Sequence, residues 1–308
     1  MNKLKVAVVG CGYLGKFHAD KYKKNKNANL VGIVDINTKK FSELKNKFKV
    51  PILKDISEII DKVDAVSIVT PTKDHFSIAK KFIKHKKHVF IEKPYTDSVE
   101  QARYLNNQAK KHNLVVQVGH LERFNKAFIE LKQLIKKPLF IESNRLSPFK
   151  VRGSEIDVIM DLMIHDIDAA IALNKSKIRK ISASGIKVIT KSIDIANARI
   201  IFDNGCVANM SASRISSKIE RKIRVFQHNS YFSLDYMNCE LKIYRKISNQ
   251  IKNKNMTFKN NDPIRDEIDS FIDSILNKKK VEVSGEDGLN ALVIARKISK
   301  QITNDSSV

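Results

Sequence analysis

A glycine-punctuated turn between two apolar runs constrains this chain more than any other feature. Val6-Ala7-Val8-Val9 is short, apolar and β-branched, the pattern of a strand buried on both faces. Gly10, Gly12 and Gly15 follow as G-x-G-x-x-G and lead into a segment of helical spacing; a second apolar run over residues 30–34 ends at Asp35, twenty residues after Gly15. Each part has a physical task. Gly10 permits the tight turn, Gly12 lets the backbone approach a pyrophosphate, and Gly15 lets the helix pack closely on the strand. The helix N-terminus presents its positive dipole end to the anion. Tyr13 and Leu14 complete the cofactor-binding turn. Asp35 is placed to accept hydrogen bonds from a ribose 2′-hydroxyl, and it would repel a 2′-phosphate, so NAD is expected over NADP. Cys11, inside the turn, reads as a small residue that fits there.

The chain has 308 residues, enough for a large core and two domains. No apolar run reaches the roughly 18 residues that cross a bilayer, and the basic start lacks a cleavage-site pattern. Cys11, Cys206 and Cys239 are widely spaced, with no CxxC. Neither disulfides nor structural zinc is indicated, and a cytoplasmic protein is expected. Lys and Arg number 57 against 33 Asp and Glu, a formal charge of +24. The lysines are scattered, without an arginine-rich arm or interleaved aromatics, so no nucleic-acid partner is expected. Abundant Lys, Asn and Ile suit a composition drawn from an AT-rich genome, and a positive field would also concentrate an anionic small substrate.

Along residues 1–120 the pattern continues as a dinucleotide-binding α/β domain with a doubly wound parallel sheet. Residues 63–69 read as a buried strand that ends in Thr70-Pro71-Thr72, with His75 following; residues 88–91 read as the next strand and run into Glu92-Lys93-Pro94. In a doubly wound sheet the carboxyl ends of the strands form the ligand edge. A lysine held there between an acid and a proline, beside a cationic nicotinamide and partly desolvated, is suited to exchange a proton near neutrality.

Taken together, Gly10-x-Gly12-x-x-Gly15, Asp35, Thr70-Pro71-Thr72-x-x-His75 and Glu92-Lys93-Pro94 resemble the Gfo/Idh/MocA family of sugar oxidoreductases. The resemblance covers essentially the whole chain. It implies that Lys93 contacts both nicotinamide and substrate, and that Thr70, Pro71, Thr72, His75 and Glu92 help hold NAD. Gly119-His120-Leu121-Glu122-Arg123-Phe124 resembles the family's domain-junction segment, which makes Arg123 a candidate for the substrate, with an interdomain ion pair as the alternative.

Residues 121–308 are expected to form an α+β substrate-binding and oligomerisation domain. Residues 156–173 read as a helix apolar almost all the way round, interrupted by Asp157, Asp161, His165 and Asp168 at spacings that share one face. Unpaired buried charge is costly, so the stripe must meet a cavity or a polar partner. A carboxylate one turn from a histidine orients the imidazole and stabilises its protonated form, making Asp161 and His165 a base dyad. A structural hydrogen-bond network and a divalent metal site are the alternatives; no further metal ligands are evident. The family's Asp-x-x-x-His helix, which Asp161 and His165 match, favours the dyad and no metal.

From residue 178 the period becomes strand-like, over residues 178–189, 194–202, 206–214, 222–227, 231–236 and 241–244, with Asp203-Asn204-Gly205 as a hairpin turn. This predicts a largely antiparallel open sheet. Residues 250–261 read as a polar loop, and Asp262-Pro263 as the cap of a helix. Sheets of this kind form oligomer interfaces in the family, implying a homodimer or homotetramer. Segments 12–19, 147–153 and 161–168 look most like the branch that oxidises C3 of UDP-N-acetylglucosamine on the route to lipid A with a diamino sugar. That likeness implies Arg145, Lys150 and Arg152 as contacts for the diphosphate. A free polyol such as inositol, or an NAD-sensing regulator without turnover, are the other readings.

Overall fold

The computed structural model describes residues 3–150 and 156–305, which pack as two units. The first comprises the residues up to Leu121 together with Asp262–Leu289; the second comprises Glu122–Asn261 and the residues from Asn290 onward.

In the first unit six strands form one parallel sheet: β1 Leu4–Val9, β2 Ala28–Val34, β3 Ile52–Leu53, β4 Ala65–Ile68, β5 His88–Glu92 and β6 Val116–Gly119. Their order, β3-β2-β1-β4-β5-β6, places the switch point between β1 and β4, so the loops after those strands flank one crevice. The strands are buried and β-branched because helices cover both faces. The helix Pro263–Leu276 belongs here and not to the second unit as the sequence suggested. Its Ile268, Phe271 and Ile272 join Val6, Val8, Ile33 and Phe90 in one core, with Phe271 edge-on to Phe90 at 5.8 Å. Asp262 caps this helix by accepting from Arg265 N at 3.1 Å, with Pro263 in the first turn as expected. Periodicity had located the helix, but the choice of face to bury was a long-range matter.

The second unit is an eight-stranded sheet in the order β14-β13-β12-β11-β7-β10-β9-β8. Its strands are β7 Pro138–Leu146, β8 Ile178–Ile186, β9 Ile195–Phe202, β10 Val207–Ser213, β11 Glu220–Gln227, β12 Ser230–Asp235, β13 Glu240–Ile247 and β14 Gln250–Thr257. All pairs are antiparallel except β7 with β10. Two strands depart from expectation. The central β7 was not anticipated, and β14 replaces the polar loop. β14 is exposed along nearly its whole length, so it is held by backbone pairing to β13 and left no apolar signal. The hairpin turn between β9 and β10 is present, with Gly205 at φ +85°. One sheet face is buried under the helices Lys126–Leu134 and Ile164–Leu173. The other carries a half-buried aromatic row in which Phe226, Tyr231 and Tyr244 stack at 4.8 and 5.2 Å and Phe140 meets Phe226 edge-on at 6.0 Å.

The loop between β8 and β9 is closed by Asp194. Its Oδ2 accepts from Val188 N, Ile189 N and Thr190 N at 2.8, 2.8 and 2.9 Å, and its Oδ1 from Thr190 Oγ1 at 2.7 Å. Burial alone would push this carboxyl up; the converging donors outweigh it and hold the group at about 2, below its usual 3.8. A depressed folded value means the contribution is present above the unfolded value and lost as pH falls through the folded one. Asp194→Asn should therefore cost roughly 2 kcal/mol at neutral pH. Denaturant melts should show the gap from the parent shrinking as pH drops from 4 towards 2, and a constant gap would refute this account.

Candidate active site

The glycine turn has the geometry assigned to it. Gly10 sits at φ +85°, and a Cβ there would lie 2.7 Å from the Val69 carbonyl, so only glycine fits. A Cβ on Gly15 would collide with the Gly10 carbonyl. Around Gly12 nothing lies within 4 Å of a Cβ, leaving a bare backbone face at the start of the helix Tyr13–Lys24. No side chain caps that helix and no acid lies in its first turn, so its N–H groups point at the space a pyrophosphate would fill. Asp35 does more than expected. Its Oδ2 accepts from Cys11 N and its Oδ1 from Asn37 N, both at 2.8 Å, which ties the turn after β1 to the end of β2. Each carboxylate oxygen keeps a further lone pair for a ribose hydroxyl. These residues fit a dinucleotide. Burial, and then the Asp35 charge, push the Cys11 thiol up to about 11, so it remains an unreactive packing residue.

Two positions expected as cofactor contacts, His75 and Glu92, meet groups of the neighbouring loops. His75 is buried, with Nδ1 2.9 Å from the Pro94 carbonyl and Nε2 2.9 Å from the Thr70 carbonyl. It ties the loop after β4 to the loop after β5, while Pro71 and Thr72 lie at the start of the helix Thr72–Lys84. Glu92 is also buried; its Oε1 lies 3.1 Å from His18 Nε2 and its Oε2 accepts from Lys93 N at 3.2 Å. Lys93 itself is half-buried at the carboxyl end of β5.

In the second unit the polar stripe divides. A π turn over Ile159–Met163 precedes the helix Ile164–Leu173, and this wider turn resets the helical phase. Asp157 caps the start, accepting from Met160 N at 2.7 Å and from Ser299 Oγ at 2.9 Å. Asp168 turns inward and takes Arg123 bidentately at 2.7 and 2.8 Å. Asp161 and His165 are left half-buried. The ion-pair alternative for Arg123 is thus the arrangement present, and it lies within one unit, not across two.

Arg145 departs furthest from its expected place. It is 3% exposed on β7, bound by Asp166 at 2.9 and 3.1 Å and by Glu122 at 2.8 Å. Its guanidinium is committed to two carboxylates and is not offered to a diphosphate. Burial disfavours its charge, but Asp166 and Glu122 outweigh that and keep it protonated. Asp166 lies outside the stripe of Asp157, Asp161, His165 and Asp168, yet it holds this arginine. The signal was there: an acid beside His165 in an almost wholly apolar helix has to find a buried cation. Lys150 is exposed, and Arg152 lies outside the described residues.

Residues 4–120 match the oxidoreductase family with an NAD-binding Rossmann fold, and residues 144–229 match the GFO/IDH/MocA C-terminal domain. The UDP-N-acetylglucosamine 3-dehydrogenase of Acidithiobacillus ferrooxidans is 33% identical over 305 residues, 97% of each chain, and its solved structure superposes with a TM-score of 0.93 over 99% of each. The myo-inositol 2-dehydrogenase of Thermotoga maritima is 26% identical over 330 residues, 99% of this chain and 98% of that one. The scyllo-inositol dehydrogenase of Lactobacillus casei, solved with NAD(H) and scyllo-inositol, shares the fold at a TM-score of 0.78 and 21% identity, covering 99% of this chain and 98% of that one. Among the described residues no helix is long and apolar enough to cross a membrane. With its glycine turn, Asp35 and Glu92-Lys93-Pro94 all in place, the chain belongs to the Gfo/Idh/MocA family and is an NAD-dependent oxidoreductase.

Proposed function

We propose that this enzyme oxidises the C3 hydroxyl of UDP-N-acetylglucosamine to the 3-keto sugar nucleotide, in the cytoplasm, as a step towards lipid A. The supporting observation is the 33% identity that extends over 97% of a dehydrogenase of that substrate. NAD supplies the hydride acceptor when bound. The chain's own residues hold and move the proton: His165, oriented by Asp161, takes it from the sugar hydroxyl, while Lys93 polarises the hydroxyl or shares in the transfer. Lys150 and Arg152 are the remaining cations for the diphosphate, since Arg123 and Arg145 are held by carboxylates. The half-buried aromatic row Phe140, Phe226, Tyr231 and Tyr244, on the sheet face opposite the helices Lys126–Leu134 and Ile164–Leu173, supports a homodimer or homotetramer built through that face.

A second reading, oxidation of a free polyol, is favoured by the full-length likeness to a myo-inositol 2-dehydrogenase. NADH formation with UDP-N-acetylglucosamine and with myo-inositol separates the two. Turnover on the nucleotide sugar is expected; turnover on inositol alone would overturn the proposal. NAD binding without turnover on either would point to a regulator. The parent should prefer NAD to NADP. Asp35→Ser should weaken NAD by about tenfold, the value of one hydrogen bond to a charged group. A parent that prefers NADP would remove the role given to Asp35.

A further inference from the structure

Inside the first unit, the helix Tyr13–Lys24, β4, β5 and the helix Pro263–Leu276 enclose a polar cluster that the proposed chemistry leaves unused. The Tyr22 hydroxyl lies 2.9 Å from Ser67 Oγ, which lies 3.2 Å from His18 Nδ1, and His18 Nε2 lies 3.1 Å from Glu92 Oε1. Glu92 Oε2 accepts the Lys93 N–H. Glu267 brings a carboxyl oxygen within 4.8 Å of a His18 ring nitrogen and of a Glu92 oxygen. Glu267 is 1% exposed, and its Oε2 has no hydrogen-bond partner. Gly119 completes the enclosure, because a Cβ there would lie 2.8 Å from Glu92 Oε1.

The donors in this cluster run one way. Tyr22 donates to Ser67 and Ser67 to His18 Nδ1, which leaves the proton on His18 Nε2, 3.1 Å from Glu92 Oε1 in a close contact without hydrogen-bond geometry. Burial holds the Tyr22 phenol well above its ordinary value, so it stays a donor. Glu92 Oε2 accepts from Lys93 N, and its Oε1 faces the His18 ring nitrogen at 3.1 Å, so both carboxylate oxygens lie against nitrogen atoms. A second bare anion in the same dry space would be repelled by it. The titratable groups that face Glu267 are His18 and Tyr22 from one helix and Glu92 from β5. Burial first, and the Glu92 charge second, push the Glu267 carboxyl well above the carboxylate range.

We propose that Glu92 and Glu267 form an asymmetric pair in which Glu92 carries the charge and Glu267 a fixed proton, and that this pair, keyed by His18, positions Lys93. The positioning role rests on Lys93 being catalytic. The protonated Glu267 does not. Both glutamates and His18 are positioning residues that act through the backbone of Lys93 and through the single negative charge beside it.

The test uses the full-length enzyme near neutral pH. Infrared spectra of the parent minus Glu267→Gln should show the carbonyl stretch of one protonated carboxyl. Glu267→Ala should lower kcat about tenfold, and Glu267→Gln should recover most of that loss, because the amide keeps the size and neutrality of the acid. Glu92→Gln should lower kcat by at least about tenfold and move the pH profile down by roughly one unit, because a neighbouring carboxylate favours the ammonium form. NAD affinity and thermal melts serve as folding controls. Absence of the carboxyl band, a Glu267→Gln pH profile displaced like that of Glu92→Gln, or stoichiometric bound metal would overturn the proposal. If instead Lys93→Met retained turnover while the band remained, the catalytic reading of Lys93 would fail and the asymmetric pair would stand.

Discussion

Lys93→Met should reduce NADH formation by about 10²–10⁴-fold, the usual contribution of a positioned acid or base, while leaving the dissociation constant for NAD within about threefold. Methionine keeps the length and apolar stem of lysine and removes only the ammonium. The backbone at this position is held independently of the side chain: Lys93 N donates to Glu92, and His75 holds the Pro94 carbonyl. The variant therefore reports on the ammonium and not on the loop. Steady-state turnover combined with NAD titration measures both quantities, and a variant with normal kcat would remove Lys93 from the mechanism. The same measurement on His165→Gln, taken across pH, assigns the formal base, because the residue that takes the proton carries the limb of the profile that its replacement abolishes.

Arg145→Met should destabilise the protein by about 3–5 kcal/mol, the cost of stranding the partners of a buried ion pair. Asp166, 1% exposed, would lose its bidentate partner, and Glu122 would lose the contact at 2.8 Å. The effect belongs to the uncompensated charge more than to the lost pair. Arg145→Met combined with Asp166→Leu should accordingly recover a large part of the loss, since an apolar replacement of both partners removes the stranded carboxylate. Denaturant melts of the two single variants and the double variant close the cycle. A single variant as stable as the parent, but with a raised KM for the sugar nucleotide, would return Arg145 to the substrate-binding role that the family resemblance implies.

Legibility differed between the two units for identifiable reasons. In the first, the signals are local: Gly10 needs a positive φ, β1 needs β-branched burial, and Asp35 follows at the end of β2. The second hid its central strand, because β7 carries an inward arginine where an alternating pattern calls for an apolar residue. It hid its edge strand because β14 buries almost no side chain at all. Its polar stripe was visible at Asp157, Asp161, His165 and Asp168, but the π turn that divides it was not.

The amino-acid order alone was enough to establish the NAD-binding turn, the doubly wound sheet and the family, because backbone conformation and hydrophobic period are set by residues a few positions apart. Which carboxylate answers Arg123 or Arg145, and which unit takes the helix Pro263–Leu276, emerged only in three dimensions. A buried charge or an apolar face is indifferent to distance along the chain, and its partner is chosen by how whole elements pack.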